Sequence, residues 1–159
     1  MVVTTPYGTC SGTVVLGPVA PSLSLLSGHF VAGVILRSDR TGAYGGGAYD
    51  ILGPTGSPFG YPTVAAKPGD AVELFGVGFG PTTPTVRAGQ VLIGAAAATD
   101  PVGVQIHGVS VTPFYAGLTE AGLSQINLII PAGLGTGDVP IVLTIDSETT
   151  PRDNLISLQ

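Results

Sequence analysis

An all-β sandwich is the fold class this sequence predicts, and three observations lead to it. Short runs rich in Val, Ile, Leu, Thr and Phe recur between clusters of Gly, Pro, Ser and Asp, the punctuation of strands joined by turns. No segment sustains a 3.6-residue apolar period for three turns, which removes the amphipathic helix. In the second half, apolar residues alternate one by one with small or polar ones, as strands with a single buried face require. Glycine and proline number 25 and 14 among 159 residues, a level at which disorder competes, but the hydrophobic share of 44% and the non-repetitive sequence argue for a packed core.

Taken in order, strands are expected over 2–5, 13–16, 30–36, 49–52, 71–75, 102–106, 109–115, 124–130, 139–145 and 154–158. Val102, Val104 and Ile106 share one face of their strand, while Gly103, Gln105 and His107 share the other. The same alternation sends Ile126, Leu128 and Ile130 inward with Gln125 and Asn127 outward, and Val139, Ile141, Leu143 and Ile145 inward with Pro140 and Thr144 outward. Two facing sheets bury such sets together. Residues 64–159 therefore read as a self-sufficient sandwich. Residues 21–63 read as a Gly/Pro-rich β-hairpin connector, with Pro18 and Pro21 near its start and four glycines between Gly42 and Gly47. Residues 1–20 read as a separate hairpin, because Val2-Val3-Thr4-Thr5-Pro6-Tyr7-Gly8 followed by Thr13-Val14-Val15-Leu16 parallels Val142-Leu143-Thr144-Ile145-Asp146-Ser147-Glu148 followed by residues 154–158.

Charge narrows the functional classes. Only 9% of residues are charged and the net charge is −5, with Arg37, Arg40, Arg87 and Arg152 scattered and Lys67 the single lysine. Such a chain offers no basic stripe for a phosphate backbone, so no nucleic-acid partner is expected. No apolar run reaches the roughly 20 residues that span a bilayer, so no membrane span is expected. Met1 is followed by Val2, Val3 and Thr4 rather than by a charged region and an apolar core, so a secreted protein would be met here as a mature or trimmed piece. Cys10 stands alone and can make no intrachain disulfide.

Ala65-Ala66-Lys67-Pro68-Gly69-Asp70, followed by Val72-Glu73-Leu74-Phe75-Gly76-Val77-Gly78-Phe79-Gly80, resembles the opening of IPT/TIG immunoglobulin-like domains, in which a Pro-Gly turn feeds a strand ending in Gly-x-Gly-Phe. Four later segments resemble the C-terminal domain of a Solibacter-type paralogous family of uncharacterised bacterial secreted proteins. They are Val104–Val111, Tyr115-Ala116-Gly117-Leu118, Gln125–Pro131 and Gly137-Asp138-Val139-Pro140. The resemblance covers roughly residues 64–159 and implies an immunoglobulin-like sandwich in a secreted, extracellular or cell-surface chain. Residues 1–20 are similar to the closing hairpin of a preceding domain of the same type. The resemblance brings no activity with it.

Chemistry-bearing residues are few. Gly76–Gly80 has the look of a phosphate-cradling loop, but Pro81 follows and no helix start is evident, and Gly133–Asp138 lies between two strands. Cys10 and Ser11 lack a nucleophile-elbow pattern, and His29 and His107, 78 residues apart (107 − 29), form no metal signature. Asp146, Glu148 and Asp153 surround one hairpin without EF-hand spacing. No cofactor and no metal is implied, and the chain reads as a non-enzymatic structural or adhesive module. Its expected partners are copies of itself, joined by strand sharing through Val2, Val3, Thr4, Thr13, Val14, Val15 and Leu16. The alternative is a carbohydrate-binding or cell-surface recognition module, whose candidate contacts with surface polysaccharide are Tyr44 and Tyr49 in and beside the glycine-rich loop.

Overall fold

A computed structural model describes residues 2–13, 17–36, 50–87 and 89–159, and among these every regular element is a β-strand. β1 (Val2–Thr5) and β2 (Gly8–Ser11) form a hairpin of their own. Five short strands follow, β3 (Ser22–Leu23), β4 (Leu25–Ser27), β5 (Phe30–Val31), β6 (Gly33–Leu36) and β7 (Asp50–Ile51). The middle of the chain supplies β8 (Ala71–Val77), β9 (Thr82–Thr83), β10 (Ala96–Ala98), β11 (Val102–Ile106), β12 (Val109–Val111), β13 (Tyr115–Glu120) and β14 (Leu123–Ile129). The end supplies β15 (Gly137–Ile145), β16 (Glu148–Thr149) and β17 (Leu155–Leu158).

These strands build two large sheets. The first has the order β7-β6-β8-β14-β13-β10-β9, with β3 also on β8; the second has the order β12-β11-β15-β17-β5-β4, with β16 also on β15. The alternating segments set the register: Ile126 lies opposite Leu74 and Leu128 opposite Val72 in the first sheet, while Val104 faces Leu143 and Ile106 faces Ile141 in the second. All eight are buried in a single hydrophobic cluster that joins the two sheets, so the arrangement is sandwich-like. Each such aliphatic side chain contributes roughly 1.5–3 kcal/mol.

Residues 19–36 and 50–66 belong to this same body. Val19, Leu23, Val31, Ile35, Leu52 and Ala66 are part of the shared core. β3 and β6 lie in line along one edge of β8, with Ser22 opposite Val77, Leu23 opposite Gly76 and Gly33 opposite Leu74. Between them the chain crosses to the second sheet. There Phe30 pairs in parallel with Leu155, and the Leu155 N–H donates to the His29 carbonyl at 2.8 Å. The connector expected over 21–63 thus supplies strands to both sheets.

The glycine motif at 76–80 explains how the chain enters. A β-carbon on Gly78 would lie 1.9 Å from the Ala20 carbonyl oxygen, one on Gly76 2.6 Å from that of Ser22, and one on Gly80 2.9 Å from the Val19 side chain. The Ala20 N–H donates to the Gly78 carbonyl at 2.9 Å. Every second residue of Gly-Val-Gly-Phe-Gly is therefore bare so that residues 19–22 can run against it, while Phe79 between them is buried. The motif is a seam in the fold.

Two local expectations change. The partner of β1 is residues 8–11 rather than 13–16, because a two-residue turn at Pro6-Tyr7 sets Thr5 opposite Gly8. Of the expected strand, Thr13 is exposed coil, and residues 14–16 lie outside the described residues. His107 leaves the strand face: with Gly108 it forms the two-residue turn between β11 and β12, at φ values of 52° and 78°, the paired left-handed conformation that suits the twist of a hairpin.

Gly78→Ala is expected to cost roughly 2–4 kcal/mol, because it adds a left-handed backbone penalty to a backbone overlap. Gly133→Ala should cost only about 1–2 kcal/mol, since Gly133 also has positive φ but faces open space. Urea denaturation of both variants beside the parent measures the difference, and equal losses would show that the entering chain is not held against Gly78.

Candidate functional site

The hairpin is the part of the described structure that joins neither sheet. Val2 lies opposite Ser11, Val3 opposite Cys10, Thr4 opposite Thr9 and Thr5 opposite Gly8. Every residue of both strands is exposed, and no strand of either sheet pairs with β1 or β2 among the described residues. Val2, Val3 and Tyr7 are 66%, 49% and 99% exposed. Its local order comes from threonine: the Thr4 and Thr9 hydroxyls meet at 3.2 Å, and the Tyr7 N–H donates to the Thr5 hydroxyl at 3.2 Å. A two-stranded hairpin is marginal in water on its own, and among the described residues no strand pairs with either of its outer edges, where unpaired backbone groups invite pairing.

The similarity of residues 2–16 to the end of the chain has a structural counterpart. Thr144 pairs with Thr149 and Ile145 with Glu148 around a two-residue turn, just as Thr4 pairs with Thr9 and Thr5 with Gly8. In β15 the residues equivalent to Val3 and Thr5 are Leu143 and Ile145, both fully buried in the core. β1 presents the same ladder with nothing described packed on it.

Among the remaining candidates, Val2, Val3, Thr4 and Thr13 are exposed. Val14, Val15 and Leu16, together with Tyr44 and Tyr49, lie outside the described residues. Cys10 is exposed and free. The His107 ring is tied down through Nδ1, 2.9 Å from the Leu134 carbonyl oxygen. His29 Nδ1 lies 3.1 Å from Asp153 Oδ2, with both side chains well exposed. Asp146, Glu148 and Asp153 are not gathered into a metal-holding group, and no group of three His, Cys, Asp or Glu side chains is found among the described residues.

Two features escaped the sequence reading. An aromatic chain links Phe30 to Phe59 at a centroid distance of 5.3 Å and Phe59 to Tyr61 at 6.3 Å, the rings tilted by 56° and 51°. All three are half-buried. Phe59 is brought there by a turn closed by the Gly60 N–H donating to the Ser57 carbonyl. The second feature is Glu73, a carboxyl 6% exposed in the middle of the first sheet. It sits opposite Val34 on one side and Asn127 on the other. Its Oε2 is buried without a partner among the described residues, and Gln125, which bonds to it, also donates to Asn127 at 2.7 Å.

No family model, no curated protein and no solved structure matches this chain.

Burial pushes the Glu73 carboxyl above its ordinary value of 4.5, and the hydrogen bond with Gln125 offsets part of that rise. The folded state therefore favours the protonated acid. This contribution to stability is complete below the ordinary carboxyl value and is lost as pH rises through the elevated one. In Glu73→Gln the loss disappears. The unfolding temperature of the variant minus that of the parent should be larger at pH 7 than at pH 4, followed by circular dichroism. A difference that does not change with pH would contradict it.

Proposed function

We propose that the protein is a non-enzymatic, extracellular structural or adhesive module, an immunoglobulin-like sandwich of IPT/TIG type that joins copies of itself through its N-terminal hairpin. The observation that carries this reading is the hairpin, whose apolar side chains are exposed and whose two outer edges have no pairing strand among the described residues. Exposed edges of this kind are templates for pairing. Adding β1 or β2 to a sheet edge of a neighbouring copy satisfies the backbone groups and covers Val2 and Val3 at once. Because donor and acceptor surfaces differ, the contact is head-to-tail, and repeated without closure it extends into a fibre.

Charge supports the reading. Residues 2–13 contain no ionisable side chain other than Tyr7 and Cys10, so docking the hairpin desolvates no fixed charge. With only 9% charged residues in the chain, closely packed copies have few ions to strip of water.

The test is the mass and shape of the intact chain beside one lacking residues 2–16. The deletion stops before Val19, which is buried in the core, and so leaves the sandwich complete. Multi-angle light scattering and electron microscopy should find oligomers or filaments for the intact chain at micromolar concentration and monomers for the shortened one. Two compact monomers would overturn strand sharing.

A further inference from the structure

We propose that the aromatic chain Phe30-Phe59-Tyr61 and the polar groups beside it form a binding patch for a neutral polysaccharide. The patch draws on two parts of the fold. Phe30 sits on β5 opposite Leu155 of β17, and Phe59 and Tyr61 come from the 53–65 connection, held by the turn at Ser57–Gly60. Each ring is half-buried, so each is anchored on one side while part of it stays open. The tilts of 56° and 51° keep the rings from covering one another face to face. The open part of each ring offers an electron-rich, weakly hydrated face on which the C–H face of a pyranose ring can rest.

Polar groups lie next to Phe30 along the backbone. His29 precedes Phe30 directly, and Asp153 is two residues before Leu155, whose N–H bonds the His29 carbonyl. The two side chains meet at 3.1 Å while both remain more than half exposed. An exposed pair of this kind adds little to stability and keeps its donor and acceptor sites open to a ligand. Arg152 in the same turn is exposed as well. Its charge offsets that of Asp153 within this turn, in a chain of net charge −5. That balance selects a ligand with many hydroxyls and no fixed charge, in preference to a uronic or sulfated glycan or a charged peptide.

The patch and the hairpin share no residue, so this proposal and strand sharing are tested separately. Isothermal calorimetry of the full chain against cellohexaose, chitohexaose and xylohexaose provides the test, repeated on the chain lacking residues 2–16 so that assembly and binding are read apart. At least one hexasaccharide should bind with Kd below about 1 mM, to both chains alike. Tyr61→Ala should weaken that binding about tenfold, the worth of a stacked ring, and Tyr61→Phe should leave it within about twofold. Asp153→Ala and His29→Ala alter exposed side chains that the fold does not need, and should each weaken binding about three- to tenfold through lost hydrogen bonds. Absence of heat with all three sugars at millimolar concentration, or binding indifferent to both Tyr61→Ala and Asp153→Ala, overturns the proposal.

Discussion

The contact on which the rest of the sandwich depends is the seam between residues 19–24 and the far end of β8. Backbone approaches backbone there closely enough that Gly76 and Gly78 must lack a side chain, and the Val19 side chain crowds Gly80. Hydrogen bonds run from Ala20 to Gly78 and from Ser24 to Phe75, so the ladder along this edge of β8 is filled before β6 takes it over at Gly33. With that edge occupied, the excursion through β4 and β5 can reach across to β17 and return. One continuous stretch of chain thereby stitches the two sheets together on one side. The segment 64–66 makes a second link: the Val64 N–H donates to the Ile51 carbonyl of β7, and the Ala66 N–H donates to the Ser157 carbonyl of β17.

A core closed by strands that switch sheets leaves its polar exceptions where the ladders cannot reach. Asp70 is buried because it ends the Lys67–Asp70 turn, accepting the Lys67 N–H at 3.0 Å. Ser157 is buried and donates to Asp138 at 2.6 Å across the β15–β17 pair. Both are satisfied, as buried polar groups should be. Glu73 is the exception, with one oxygen bonded through Gln125 and the other lacking a partner among the described residues. Its position opposite Val34 and Asn127 places a proton-dependent group in a central strand of the first sheet, where an apolar residue would have served packing alone.

The legible parts of the fold were those whose signal lies within one strand. Val102–Ile106 alternates strictly and Val139–Ile145 does so except at Val142, and their inward residues are those the period selects. β10 was not legible, because Ala96-Ala97-Ala98 has neither period nor β preference and owes its strand to neighbours on both sides. β3 and β9 are two-residue strands fixed by pairing alone. The Gly-x-Gly-Phe-Gly run was visible as a motif, but its reason lies in a contact with residues more than 50 positions away, which no local reading supplies. The same holds for the candidate sites. A hairpin at the start of the chain could be read from its repetition near the C-terminus, but with 13–16 in place of 8–11 as its returning strand, whereas the aromatic row joins Phe30 to residues 29 and 31 positions further on (59 − 30 and 61 − 30) and exists only once β5 has crossed to β17.

The two proposals draw on different surfaces, and together they bear on how a weak site becomes a strong one. Under the proposal above, a single row of three half-open rings would hold a sugar only loosely, since each ring leaves just part of its face open. A polymeric glycan presents the same unit many times. Copies joined head-to-tail through hairpins would present the patch at a regular spacing, so that after one patch engages the next binds at high effective concentration. Assembly then supplies the avidity that no individual patch has.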